Sequence, residues 1–173
     1  MRSLEMYAGD FSLVNQGKEA LIYSIGEGRV ARVLHGNFNS IRECYQKLFH
    51  EYDVALEFHE NGISVPQPVG VFELNVFANG RGTNYPAFVM EQIYGKTFGE
   101  LKSATSREEY EKWRKRVEAE IGKAEALGFY AHDSRNKENS MLSDSGKIYL
   151  IDFGCWKKTT SQNLHKIHNS LSI

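Results

Sequence analysis

The chain has 173 residues, 41% apolar, 25% charged and 12% aromatic, a globular composition with enough material for one or two modest cores. With 21 Lys+Arg against 22 Asp+Glu the formal charge is −1, which excludes a global basic field able to gather nucleic acid or anionic membrane by itself. The first six residues carry charges where a signal peptide needs an apolar run, and no stretch approaches the roughly 20 apolar residues of a spanning helix, so a soluble protein is expected. Cys44 and Cys155 lie far apart without CxxC or His-paired spacing, which points to reduced, structural cysteines rather than a disulfide or zinc.

Residues 11–35 read as three short strands, at 11–14, 20–25 and 29–34, the last two joined by the hairpin loop Gly26-Glu27-Gly28. Gly17 and Lys18 occupy the turn between the first two. A helix is expected from Ser40-Ile41-Arg42-Glu43, a capping-box pattern, to Asn61-Gly62. Ile41, Cys44, Leu48, Ala55 and Phe58 share its apolar face, and Glu51 falls in the same stripe. A carboxylate directed beside the core needs a cationic partner.

Pro66 and Pro68 open an extended connection to a strand at 69–74, and a polar turn at 79–82 returns to a strand at 86–90, which makes a five-strand unit with one inserted helix. The segment 95–99 reads as a crossover. The longest helix follows at 107–127, capped by Ser106, with Tyr110, Trp113, Val117, Ile121, Ala124 and Leu127 on one face and Gly128 at its end. A polar stretch at 133–139, a hairpin about Asp144-Ser145-Gly146 and a strand at 147–151 lead to Asp152-Phe153-Gly154. Leu164, Ile167 and Leu171 allow one short terminal helix.

Asp-Phe-Gly alone is a weak signal, and Asp133 and Asp152 are also ordinary turn formers. Position gives them weight. Asp152 follows an apolar strand, while Asp133 and Asn139 share the loop after the long helix. Two acids and an amide are the hard oxygen ligands that a Mg²⁺–nucleotide site needs, with one carboxylate left for the attacking hydroxyl.

In the order of these features the chain resembles the protein kinase-like superfamily. The segment ending Ala131-His132-Asp133 looks like its HRD segment, with Asp133 in the place of the catalytic aspartate, and Ile151-Asp152-Phe153-Gly154 looks like DFG, with Asp152 as Mg²⁺ ligand and Asn139 as the second. Phe88 to Ile93 is similar to the hinge strand, which implies Met90 as gatekeeper and the backbones of Glu91 and Ile93 facing adenine. Glu51 then corresponds to the glutamate of the inserted helix, and Val30-Ala31-Arg32-Val33 to the strand in which that superfamily has lysine where this chain has Arg32. An Arg32–Glu51 ion pair is implied. Gln16 to Ala20, with Gly17 and Lys18, resembles the reduced nucleotide loop of RIO kinases and of the small kinase of the tRNA-threonylcarbamoylating complex. The short segment after DFG is similar to minimal effector kinases injected by bacteria.

There are departures. No GxGxxG is present, Arg is not equivalent to Lys in a tight phosphate site, and no APE segment follows. Asp133 to Asn139 spans six positions where the family has five, so either the loop bulges or Asn139 is not the second metal ligand. Arg135 stands near the position of a catalytic-loop lysine. The resemblance implies an α+β, bilobal fold, with residues 1–93 as a five-stranded N-lobe carrying the helix and hinge and 94–173 as a reduced C-lobe. It implies ATP and Mg²⁺ as cofactors and phosphoryl transfer to a serine or threonine of a protein, with autophosphorylation and an activating protein partner. The alternatives are a nucleotide-binding scaffold without catalysis, or a small-molecule kinase. The expected location is a reducing cytoplasm, the protein's own or that of a host cell into which it is delivered.

Overall fold

The computed structural model describes residues 2–7, 11–35, 38, 40–78 and 81–159. The chain divides into two compact units, Met1–Tyr94 and Gly95–Ile173. Its described part is mixed α/β, with three helices and five consecutive antiparallel strands at the heart of the main sheet.

In the first unit, β1 (Arg2–Tyr7), β2 (Ser12–Gln16), β3 (Ala20–Ser24), β4 (Arg29–Leu34), β5 (Pro68–Ala78) and β6 (Arg81–Glu91) form one sheet in the order β1-β5-β6-β4-β3-β2. The five expected strands are β2 to β6, and β1 adds a sixth at the sheet edge. β1 pairs parallel with β5, Arg2 opposite Phe72 through Tyr7 opposite Phe77, and a pairing across some seventy residues has no local sequence signal. The β5–β6 hairpin is also longer than expected, reaching from Pro68 opposite Met90 to Ala78 opposite Arg81.

Helix α1 (Ile41–Glu60) begins where Ser40 Oγ accepts from the Glu43 N–H at 3.2 Å and ends at Asn61. Gly62 follows with φ +71°, a left-handed conformation that glycine adopts without steric cost. Leu48, Val54, Ala55 and Phe58 are buried against β5 and β6, and Tyr52 meets Phe88 edge-on. Fully burying a side chain such as Leu48 or Phe58 contributes roughly 1.5–3 kcal/mol. Ile41, the first residue of α1 and expected in this stripe, is 60% exposed. On the other face of the sheet, Ala31, Val33, Leu74, Ala87 and Val89 form a second cluster.

Glu51 is wholly buried in the same face of α1. Strand alternation turns Arg32 of β4 toward it: Arg32 Nε lies 2.7 Å from Glu51 Oε2, and Nη2 donates to Oε1 at 3.4 Å. The guanidinium thus spans both carboxylate oxygens, the geometry that compensates best for taking a carboxylate out of water.

In the second unit, β7 (Gly95–Thr97), β9 (Ser140–Ser143) and β10 (Ile148–Leu150) form a three-stranded sheet in the order β10-β9-β7, and β8 (Phe129–Tyr130) pairs with β11 (Lys157–Lys158). The expected crossover at 95–99 is instead a strand running into helix α2 (Phe98–Ala104). Thr97 and Glu100 cap that helix reciprocally, a T-x-x-E signal present in the sequence. Helix α3 (Arg107–Ala126), capped by Ser106, buries Val117, Ile121 and Ala124 against α2, β8 and β10. Tyr110 is half-buried and tilts against Phe98. The stripe on which the partner expectation rested is therefore largely covered by the unit's own elements, and residues 164–171 lie outside the described residues.

Two glycines give opposite expectations. A Cβ on Gly95 would lie 2.1 Å from the Leu142 carbonyl oxygen, so Gly95→Ala should destabilise the protein by about 1–3 kcal/mol through backbone displacement. Gly122, inside α3, faces open space, and Gly122→Ala should stabilise it by about 0.5–1 kcal/mol. Urea melts of the two variants check both signs.

For the ion pair, Arg32→Met should cost about 3–5 kcal/mol, the range for breaking a buried pair from one side. The double variant Arg32→Met, Glu51→Leu should recover most of that loss in the same urea melts. Equal stability of the single and double variants would show that Glu51 does not depend on Arg32.

Candidate functional site

The expected site residues fall into two groups, one in each unit. In the first unit, the turn between β2 and β3 closes with the Gly17 N–H donating to the Ala20 carbonyl at 2.9 Å. Gly17 has an ordinary φ, and a Cβ there would meet only Ala20 O at 3.5 Å, so the fold itself does not demand glycine. Lys18 is exposed and makes no ion pair among the described residues. Arg32 is held by Glu51, as described. Its side chain is 15% exposed against 1% for the carboxylate, so the pair presents its cationic side outward.

The residues expected at the hinge sit at the end of β6. Met90 is half-buried and pairs with Val30. Glu91 is pinned twice to Gln67: its N–H donates to the Gln67 carbonyl at 2.9 Å, and its Oε2 accepts from the Gln67 N–H at 3.1 Å. Gln92 donates through its N–H to Gly28 O at 2.8 Å and accepts from Ser24 Oγ at 3.0 Å. The backbone N–H of Glu91 is thus spoken for, while Ile93 makes no backbone hydrogen bond among the described residues. The pinning residues Gln67, Gln92 and Ser24 carry no motif and were not legible in the sequence.

In the second unit, two loops are tied together at both ends. β8 leads into Ala131–Asp133 and β11 follows Asp152–Trp156, and their pairing places Tyr130 opposite Lys157. Farther along, the Ile151 N–H donates to Asn139 O at 2.9 Å, and Asn139 Nδ2 donates to the Asp133 carbonyl at 3.1 Å. Asp133, Asn139 and the residue before Asp152 are therefore joined by direct hydrogen bonds. Two successive turns, Asn136 N–H to Asp133 O and Asn139 N–H to Asn136 O, take up the six-residue spacing.

Within this clip the three side chains differ. The Asp133 carboxylate is half-buried and has no partner among the described residues. Asn139 is buried, and with Nδ2 committed its Oδ1 is the amide's remaining acceptor. Asp152 holds φ +64°, a left-handed conformation uncommon outside glycine and costly enough to suggest a functional constraint. Its Oδ1 accepts from the Gly154 N–H at 3.4 Å, and buried Phe153 and Trp156 anchor the loop behind it.

Arg135 is not a free cation beside Asp133. Its Nε and Nη2 lie 3.1 and 3.2 Å from carboxylate oxygens of Glu118 and Glu125 on α3, which commits its charge to holding the loop against that helix. The i, i+7 spacing of the two glutamates on one face was the available signal.

No group of three or more His, Cys, Asp or Glu among the described residues could hold a metal ion. One carboxylate and one amide oxygen suit Mg²⁺ only where phosphate oxygens and water complete its shell, which is how that ion is held at nucleotide sites. Asp152 and Asn139 supply one carboxylate and one amide oxygen of that type. No described helix is long and apolar enough to cross a membrane.

No family model matches the chain, and no curated protein matches it. Among the many solved chains that match is the crystal structure of WbdD, with a TM-score of 0.55 and 18% identity over 92% of this chain. The match covers 36% of the WbdD chain, so this chain spans little more than a third of that structure's length. At such identity the likeness concerns the fold. Membership of the protein kinase-like superfamily, and the affinity to RIO, tRNA-modification and effector kinases, is accordingly corrected: it rested on the order of short motifs along the chain, no family model matches, and the likeness to WbdD is a distant structural one.

Proposed function

We propose that the chain is an ATP-dependent phosphotransferase with a hydroxyl acceptor. The observation that carries this reading is the clip in the second unit, which holds a carboxylate without a partner among the described residues, a buried amide and a carboxylate on left-handed backbone, on two loops tied at both ends. A Mg²⁺ ion bound with ATP would be held by Asp152 and Asn139 together with phosphate oxygens, neutralising triphosphate charge and polarising the γ-phosphoryl group.

Asp133 accepts the hydrogen bond and then the proton of the attacking alcohol. The new O–P bond forms as the bond between the γ-phosphorus and the β,γ-bridging oxygen breaks, and ADP leaves with that electron pair. Within the first unit, Arg32, fixed by Glu51, offers positive charge to phosphate, and the Gly17–Ala20 turn with exposed Lys18 adds backbone groups and a cation. Ile93 offers backbone groups to the adenine edge. Because Mg²⁺ and preorganised charge do most of the work, catalysis is chiefly positioning and electrostatic. The acceptor we propose is a serine or threonine side chain of a protein. A second reading, nucleotide binding without transfer, is favoured by the commitment of Arg135 to Glu118 and Glu125, which leaves the loop without that cation.

Incubation with γ-labelled ATP and Mg²⁺, alone and with generic serine- and threonine-rich substrates, distinguishes the two. Transfer is expected, and Asp133→Ala should lower it by about 10²–10⁴-fold, the general-base range. Asp152→Asn should abolish Mg²⁺-dependent transfer while changing stability by no more than about 0.5 kcal/mol, since Asn also tolerates the left-handed backbone. Tight ATP binding with no transfer would establish the binding module, and equal ATP affinity with and without EDTA would remove the metal role of Asp152.

A further inference from the structure

The proposed nucleotide turn lacks the run of glycines that lets a loop wrap phosphate, and its Lys18 is exposed. What gives such a turn a fixed position is visible on both sides of it. Just after β4, the His35 N–H donates to Glu19 O at 2.9 Å, and His35 Nε2 lies 3.0 Å from the Gly17 carbonyl. From α1, Lys47 forms an ion pair with the Glu19 carboxylate. Lys47 is itself located, its ammonium standing 5.7 Å from the centroid of the Phe38 ring.

Lys47 precedes Glu51 by four residues, one helical turn on the same face of α1. A single helix therefore carries both the carboxylate that orients Arg32 and the ammonium that holds the turn. We infer that Glu19 and Lys47 are positioning residues for the triphosphate, a latch fixing the Gly17–Ala20 turn relative to Arg32, with His35 as its second anchor. This rests on the nucleotide reading above. The hydrogen bond from Lys47 and then its charge hold the Glu19 carboxyl below its ordinary value, so the latch is charged and closed at neutral pH.

The alternative for the same geometry is that Glu19 acts against the nucleotide, its carboxylate occupying cations that phosphate needs. The two differ in sign. If the pair is a latch, Glu19→Gln and Lys47→Gln both loosen the turn and both weaken ATP. If Glu19 competes with phosphate, its neutralisation tightens ATP.

The test reads two quantities on the full chain. Hydrogen exchange at the Gly17 and His35 amides, measured without nucleotide, reports the latch alone and should quicken in both single variants. The KM for ATP should rise about two- to five-fold in each, the range for a pair of this exposure, with kcat unchanged. The double variant should be no worse than either single, as expected when both remove one interaction. Unaltered exchange in both single variants would overturn the latch, as would a lowered KM in Glu19→Gln. If the wild-type chain binds no ATP, the nucleotide reading falls, and the exchange data alone decide whether the latch exists.

Discussion

A carboxylate with no exposure to solvent sets the terms for the first unit. Glu51 lies inside the apolar face of α1, and an ionised carboxylate there is tolerable only with a cation that reaches both its oxygens. Arg32 does so from β4, which makes the register of β4 and the rotation of α1 about its axis a single condition. Shifting β4 by one residue would send Arg32 to the opposite face and place Ala31 or Val33 against the acid. The helix, the central strand and the cation offered to a ligand are therefore positioned together.

The second unit solves a different problem, that of holding loops still. The loops bearing Asp133 and Asp152 lie outside any helix, and the first of them is held to α3 by the Arg135 ion pairs with Glu118 and Glu125. They are stitched by the β8–β11 pair at one end and by the Asn139 and Ile151 hydrogen bonds at the other. A site carried on loops needs such cross-links, because preorganisation of charge is most of what catalysis by positioning consists of. The left-handed backbone of Asp152 shows where the stitching imposes strain.

What the sequence made legible follows the range of the interactions. Helices α1 and α3 were readable because capping and the 3.6-residue period are local: Ser40 and Ser106 cap where expected, and Glu51 was placed in the buried stripe by spacing alone. The six-residue loop spacing left Asn139 uncertain, and only the two successive turns explain how it reaches Asp133. β1 escaped notice because its partner is remote, and α2 because a three-residue strand runs directly into its cap. The family resemblance failed for a related reason: a few short motifs in order fix only a few positions, whereas membership is a property of the whole pattern, and no family model matches this one.

β2 forms one edge of the main sheet, and all five of its residues are exposed, Leu13 and Val14 among them. Such an edge presents unpaired backbone groups beside apolar side chains, a template on which a second chain could add a strand. Here the ladder skips Val14 between Leu13 opposite Tyr23 and Asn15 opposite Ile22. An interruption of this kind twists the strand and breaks the even spacing that an incoming strand would have to match. The irregularity thus works as a guard against edge-to-edge association, which lets the protein keep two apolar side chains in water on an open sheet margin.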